Sequence, residues 1–313
     1  MSVSHWESYY KGGALAACPN GPDANYTLEL RDIWAEFFAT LDNGARILDI
    51  GTGNGPIPLI ARQTAESRGC VYEIHGVDLA RINPPRDVRN GTQLFAGIIF
   101  HPNVAAEALP FEDASFNAVS GQYALEYTDV QKALAQVMRV LKPSSDAQFL
   151  MHHANSILVE RARVSLQHAD VVLTETKVYR KLRRFLDAGK GSPAAARRTE
   201  AELAHAISTL RTTARLEPDR RVLDVTVDAI AKLLELRRSL APAALGREVD
   251  SVENDLRHAV RRLNDLIAAA VTDSGMAECA EHARAQGFVN VKYMPMNHAQ
   301  RALVGWRVSV HKP

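Results

Sequence analysis

The stretch Ile47-Leu48-Asp49-Ile50-Gly51-Thr52-Gly53-Asn54-Gly55 constrains this chain more than any other. The apolar run from Ala45 to Ile50 carries one acid and reads as a buried strand. Three glycines at alternate positions follow, and Pro56 to Arg62 then reads as a helix with proline in its first turn. Glycine permits a tight turn and lets a ligand approach the backbone with no Cβ in the way. The helix start beyond it offers free N–H groups to a polar or anionic ligand. A strand, glycine turn and helix in this order predict a nucleotide-type ligand site at the carboxyl end of a strand in an α/β sheet.

The spacing is informative. A dinucleotide fingerprint needs G-x-G-x-x-G, and counting from Gly51 its third glycine would fall on Pro56. The turn is G-x-G-x-G instead, with Asp49 two residues ahead of it. The next apolar run, Val71 to Val77, ends in Asp78, where an acid is placed to accept hydrogen bonds from ribose hydroxyls. Further on come Ala106-Glu107-Ala108-Leu109-Pro110-Phe111, then Ser115-Phe116-Asn117-Ala118-Val119, then Arg139-Val140-Leu141-Lys142-Pro143 before another strand.

These motifs in this order resemble the class I S-adenosylmethionine (SAM)-dependent methyltransferases, in particular the UbiE-type branch. The resemblance covers residues 40–155 and returns at 276–313. It implies a Rossmann-like α/β sheet, SAM as cofactor and a methyl-transfer reaction. It also implies a cofactor site at Asp49, Gly51, Thr52, Gly53 and Asn54 of the turn. Asp78 is expected on the ribose, Leu79, Ala106 and Glu107 beside the adenine, and Gly121 and Gln122 near the sulfonium. The chain departs from the branch at Ala105, where an acid is common, and at Asn117, where the fourth strand usually has Asp. Methyl transfer from a sulfonium is an in-line displacement, so alignment and exclusion of water do much of the work. A hydroxyl or protonated amine acceptor also needs a base.

Candidates on the acceptor side are Tyr123, Glu126, Tyr127, His152 and His153, just beyond the fourth and fifth strands. A histidine titrates near neutrality. His153 is preferred over His152 as lying nearer the strand exit, with Glu126 and Tyr123 as the other catalytic candidates. Residues 1–24 read as irregular, and Trp6, Tyr9 and Tyr10 could fold over the cofactor as a lid. Asn83-Pro84-Pro85 is set aside as a loop, because it follows the second strand and not the fourth.

The expected core alternates: a helix with its apolar stripe from Leu30 to Leu41, strand 45–50, helix 56–67, strand 71–78, strand 97–104, strand 116–123, helix 129–141, strand 147–153. Pro102 fits its strand only at a sheet edge. From 156 to 274 helical periodicity dominates. Four amphipathic helices are expected, marked by Val178-Leu182-Phe185, Leu203-Ile207-Leu210, Leu223-Val227-Ile230-Leu234 and Val249 to Ile267. A short helix 277–285 and strands 289–294 and 302–311 close the chain. The resulting division is a lid segment 1–24, a SAM-binding core 25–154, a helical insertion 155–275 and the end of the core 276–313.

The 313 residues exceed one domain of about 150. With 37 Lys and Arg against 36 Asp and Glu, the near-neutral balance argues against a dedicated nucleic-acid binder. Cys18, Cys70 and Cys279 make no metal pattern and suit reduced thiols, so no metal and a cytoplasmic location are expected. The N-terminus lacks the apolar core of a signal peptide. No apolar run approaches the roughly 20 residues that span a membrane. The leading function is methylation of a small-molecule acceptor on O, N or C, with the insertion shaping the acceptor pocket, a homodimer interface, or both. A macromolecular substrate is the alternative, suggested by the basic segment Lys177-Val178-Tyr179-Arg180-Lys181-Leu182-Arg183-Arg184. A SAM-binding scaffold protein is the non-enzymatic reading.

Overall fold

The computed structural model describes residues 3–16, 25–188, 192–299 and 302–313; Cys18 and the glycines and prolines around it lie outside them. In chain order the first elements are α1 (Ser4–Lys11), α2 (Leu28–Ala39), β1 (Arg46–Ile50), α3 (Pro56–Ser67) and β2 (Glu73–Asp78). Two single-turn helices, α4 (Pro84–Asp87) and α5 (Gly91–Leu94), precede β3 (Ile98–Pro102) and β4 (Phe116–Gln122). Then come α6 (Val130–Val140) and β5 (Leu141–Met151). The helical stretch is α7 (Ile157–Asp170), α8 (Val178–Asp187), α9 (Pro193–Leu216), α10 (Arg221–Leu236) and α11 (Pro242–Ala269). α12 (Asp273–Ala285), β6 (Val289–His298) and β7 (Ala302–Lys312) end the chain.

The 7 strands form one sheet in the order β3-β2-β1-β4-β5-β7-β6. β1 to β5 are mutually parallel, and β7 pairs antiparallel with both β5 and β6. The order reverses between β1 and β4, so the carboxyl ends of these two strands flank the crevice where such sheets bind ligands. β3 is an edge strand and Pro102 sits at its end, opposite Asp78, where its missing N–H breaks no inner ladder.

Each strand of the parallel part sends alternate side chains to opposite faces. Ile47 joins one apolar layer with Ile33, Trp34 and Phe38 of α2 and Ile57 and Ile60 of α3. Leu48 and Ile50 join the other, with Leu134 and Val137 of α6 and Met276 of α12. Fully burying a side chain such as Phe38 contributes on the order of 1.5–3 kcal/mol. The sheet is therefore covered on both faces, which leaves only its ends open for chemistry.

The chain divides into two compact units, residues 1–159 with 265–313, and residues 160–264. In the second, Leu182, Leu203, Leu210, Leu223, Ile230 and Val249 make a separate apolar core. Besides the single turns α4 and α5, two longer helices are additional to those expected from periodicity. Ser4–Lys11 is helical where residues 1–24 were read as irregular, because Trp6, Tyr9 and Tyr10 recur at i, i+3 and i+4 and pack as one aromatic face. Ile157–Asp170 is helical and runs into a π-turn at Val171–Glu175. Its apolar positions are diluted by Arg161, Arg163, Gln167 and His168, which hid the stripe. β5 starts at Leu141, earlier than expected, since the strand runs through the polar turn Lys142 to Asp146.

Candidate functional site

All three motif glycines have left-handed backbones: φ is +60° at Gly51, +51° at Gly53 and +79° at Gly55. Only glycine adopts this conformation without strain. Space is also short. A Cβ on Gly51 would lie 2.3 Å from the Cβ of Ala124, and one on Gly121 would lie 2.8 Å from Ile50. Gly51 and Gly121 thus let the ends of β1 and β4 close on each other. The turn is bound from β2: the N–H of Gly53 donates to Asp78 Oδ2 at 2.8 Å, and the N–H of Ala80 donates to Oδ1 at 2.8 Å.

Asp49 and Asp78 are both buried. Burial pushes Asp49 up to about 7, against the pull of Ser120 and Thr52, and the charge of Asp78 adds to the rise. Ser120 Oγ donates to Asp49 Oδ1 at 2.7 Å. Burial likewise pushes Asp78 to about 6, against its backbone donors Ala80 and Gly53. Two buried carboxylates held near neutrality, with no Lys or Arg bonded to either among the described residues, suit a ligand that brings positive charge and hydroxyls.

Two further polar groups point the same way. Trp34 Nε1 donates to Gln122 Oε1 at 2.5 Å. Indole N–H is a donor only, so the amide oxygen must face it, and this fixes Nε2 as the other end. That Nε2 is buried and has no partner among the described residues. Asn54 Nδ2 donates to the carbonyls of Tyr10 at 2.9 Å and Ala14 at 2.8 Å, while its buried Oδ1 has none.

These bonds tie α1 over the turn. A Cβ on Gly53 would lie 2.7 Å from the Tyr10 ring, so that ring covers the glycine. Burial, with Asp78 close by, holds the Tyr10 phenol well above its ordinary range. Trp6 stacks on Tyr10 and meets Tyr127 edge-on. Asp265 receives His5 Nε2 at 2.6 Å and Trp6 Nε1 at 3.2 Å.

At the ends of β4 and β5 the chain places Tyr123, Glu126 and His152 together. Tyr123 has φ +53°, an unusual conformation for a bulky residue. Its ring lies on the His152 ring, with centroids 4.0 Å apart. A 3-10 turn, Leu125–Tyr127, presents Glu126, whose Oε1 accepts His152 N at 2.7 Å and His152 Nδ1 at 2.8 Å. The Glu126 side chain is fully buried and its Oε2 has no partner among the described residues. Burial, then the charge of Glu126, pushes the neighbouring Cys279 thiol up to about 11.

His153 is not part of this group. It stacks on Trp306 with ring centroids 4.4 Å apart, and its Nδ1 accepts the N–H of Asn155 at 3.0 Å. Burial lowers its pKa, with Asp273 opposing. The lone pair at Nδ1 is thus engaged, and Nε2 carries the ring proton. Just past the end of β5 the two histidines thus take different partners, and Glu126 selects His152. On the adenine side Leu79 is half-exposed beyond Asp78 and Ala106 is half-buried, while Glu107 accepts the N–H of Asp129 at 2.9 Å and so buttresses the start of α6. Asn83-Pro84-Pro85, expected as a loop, caps and opens the single helical turn of α4 after β2. Trp34 and Ser120 are the site residues that the sequence reading did not single out, whereas His152 was among its acceptor-side candidates. For Ser120 the signal was parity, since Ser120 and Gln122 alternate onto one face of β4.

A family model described as a methyltransferase domain matches residues 23–188, more than half of the chain. The chain belongs to the methyltransferase-domain family. Its sheet is Rossmann-like. No curated protein matches the chain. Among solved structures it overlaps Haemonchus contortus phosphoethanolamine N-methyltransferase 2 in complex with SAM, at 13% identity and TM-score 0.46, over 99% of this chain and 57% of that one. It thus spans little more than half the length of that protein. It overlaps the cyclase SpnF at 17% identity and TM-score 0.42, over 99% of this chain and 92% of the other. A possible exported protein of Bordetella parapertussis overlaps at 12% identity and TM-score 0.43, over 91% of this chain and 67% of that one.

The residues around the turn fit SAM. The molecule carries a sulfonium, an ammonium and a ribose diol, and the turn offers two buried carboxylates, a fixed amide donor and a glycine cradle. Among the described residues no cluster of His, Cys, Asp and Glu is arranged to hold a metal ion, and no helix is long and apolar enough to cross a membrane.

Proposed function

We propose that this methyltransferase acts on a proton-bearing nucleophile of a small molecule, a hydroxyl or an amine, with His152 as proton acceptor. The buried Glu126–His152 pair carries this reading. A carboxylate only accepts hydrogen bonds, so the Nδ1 it binds holds a proton, and the lone pair of the neutral ring is at Nε2. Tyr123 stacked on the ring fixes its orientation. An orienting carboxylate behind a histidine is the usual way to keep a base in its working tautomer.

SAM supplies the activated methyl group on its sulfonium. Asp78 would hold the ribose hydroxyls and Asp49 the methionine end, while Gly51 keeps the turn packed against Ala124. Gln122 Nε2 is the donor left over for an acceptor oxygen. Trp6, Tyr10 and Tyr127 keep water from the reacting atoms. A small acceptor is favoured because Arg183 and Arg184 of the basic segment are bonded to Asp250, Glu253 and Glu202. A cytoplasmic location and a homodimer through the helical unit belong to the same proposal. They rest on the scattered cysteines and on Leu216 and Val225, exposed in that unit.

Transfer of label from SAM to fractionated metabolites and to RNA identifies the acceptor class. With the metabolite so found, His152→Ala and Glu126→Gln should each lower kcat by about 10²–10⁴-fold while SAM affinity by calorimetry stays unchanged. Labelling of RNA alone overturns the small-molecule reading. Loss of activity in His153→Ala with His152→Ala unaffected moves the base to His153.

A further inference from the structure

We infer that the helical unit carries a second binding site, for the phosphate group of a small molecule. A cavity of about 310 Å³ opens there beside the π-turn, lined by Lys177, Tyr179, Arg180, Arg183, Glu253 and Arg257 among others. Four cations thus face one carboxylate.

The carboxylate does not oppose an anion, because it is already engaged. Glu253 Oε2 accepts Arg183 Nη1 at 2.7 Å, and Oε1 accepts Arg257 Nε at 3.1 Å. Arg183 is held from its other side by Asp250 Oδ1, at 3.0 Å from Nε and 2.6 Å from Nη2. These pairs set the two guanidinium groups in place on the cavity wall. A planar guanidinium held in this way presents donors in the geometry that phosphate oxygens take. Lys177 and Arg180 have no ion-pair partner among the described residues, and their charge is available to a ligand.

The basic segment of the sequence therefore divides in two. Arg184 turns to Glu202 at 3.1 Å and Lys181 lies outside the lining, while Lys177, Arg180 and Arg183 share the cavity. The volume is at the lower end of small-molecule pockets, enough for a phosphate and a modest attached group. Nucleic acid would need an extended basic track with stacking faces, which a short cavity does not supply. The site is independent of the methyl-transfer chemistry.

Calorimetric titration of the full chain with inorganic phosphate, and separately with phenyl phosphate, tests this. The expected result is saturable binding to one site. The variant Lys177→Gln with Arg180→Gln should weaken it by at least about tenfold, given what a charge-assisted hydrogen bond contributes. Lys181→Gln should bind like wild type. All substituted positions are at the surface, and circular dichroism checks that each variant is folded. No saturable binding by wild type, or equal binding by the double variant, overturns the site. Tighter binding of single-stranded RNA, falling steeply with salt and lost in the double variant, overturns the small-molecule assignment.

Discussion

Asp49 should make the ligand-free protein less stable as pH rises, and Asp49→Asn should remove that penalty. Its carboxyl is buried and titrates at about 7 in the fold, against 3.8 for an ordinary Asp. Between those two values the folded state holds a proton that the unfolded chain has lost. Stability then falls as pH climbs through that window, and the full penalty persists above the folded pKa. Three pKa units at about 1.4 kcal/mol each give an upper bound of about 4 kcal/mol. Well below pH 3.8 both states are protonated and the term vanishes. An Asn side chain carries no charge at either pH, and its oxygen can still accept from Ser120. Asp78 remains in both proteins and largely cancels from the comparison. Urea unfolding of wild type and variant at pH 5 and pH 8, without cofactor, reads the effect. The variant should gain relative to wild type between pH 5 and pH 8, by roughly 2–4 kcal/mol on this linkage. The same substitution should weaken SAM binding at pH 8, since the charge that strains the empty fold is the one offered to the ligand. An offset between the two proteins that is equal at both pH values, or a variant less stable at pH 8, would refute the reasoning.

Two glycines separate backbone strain from crowding. Gly44→Ala meets a left-handed φ of +78° with open space, whereas Gly51→Ala meets φ +60° and a contact of 2.3 Å. Urea melts should show about 1–2 kcal/mol lost at Gly44 and about 1–3 kcal/mol more at Gly51; equal losses would remove Ala124 as the cause. Trp34→Phe deletes the donor to Gln122 and should cost about 1–3 kcal/mol, with Gln122→Leu in the same background recovering part of it. Asp265→Asn should weaken the hold of His5 and Trp6 on α1, so hydrogen exchange should speed up in residues 4–11 and not in α2; unchanged exchange would show that the aromatic face alone holds the helix.

The glycine turn, the acids ending β1 and β2, and the edge strand at Pro102 were all legible in the sequence. Each is a local demand, met by the residue type at its own position. The helical character of residues 160–264 was legible too, because apolar stripes at helical spacing need no knowledge of partners. What stayed hidden depends on pairing. His152 and His153 are neighbours just past the end of β5, and nothing local says which of them meets the turn that carries Glu126. That choice is made by contacts distant in sequence: Glu126 takes the N–H and the ring of His152, while His153 stacks on Trp306. Glu107 is expected beside the adenine; that its Oε1 also accepts the N–H of Asp129, distant in sequence, is a contact no motif discloses. The orientation of the Gln122 amide is set by Trp34 from another helix, so no motif could disclose it.

The short bridge at Val271 has a topological consequence. Val271 N donates to His152 O at 2.8 Å and Ala154 N donates to Val271 O at 2.9 Å, so the chain leaves the sheet and returns to it at one point. Residues 155–270 are an excursion with a closed neck, and the entropic cost of closing such a loop grows only logarithmically with its length. Loop closure alone sets little limit on how long the excursion is, though its ends, Ile157, Leu158 and Asp265, still pack on or bond to the core. One of the bonds that close this neck is made to the backbone of His152 itself, so the root of the helical excursion and the residue paired with Glu126 share one peptide unit.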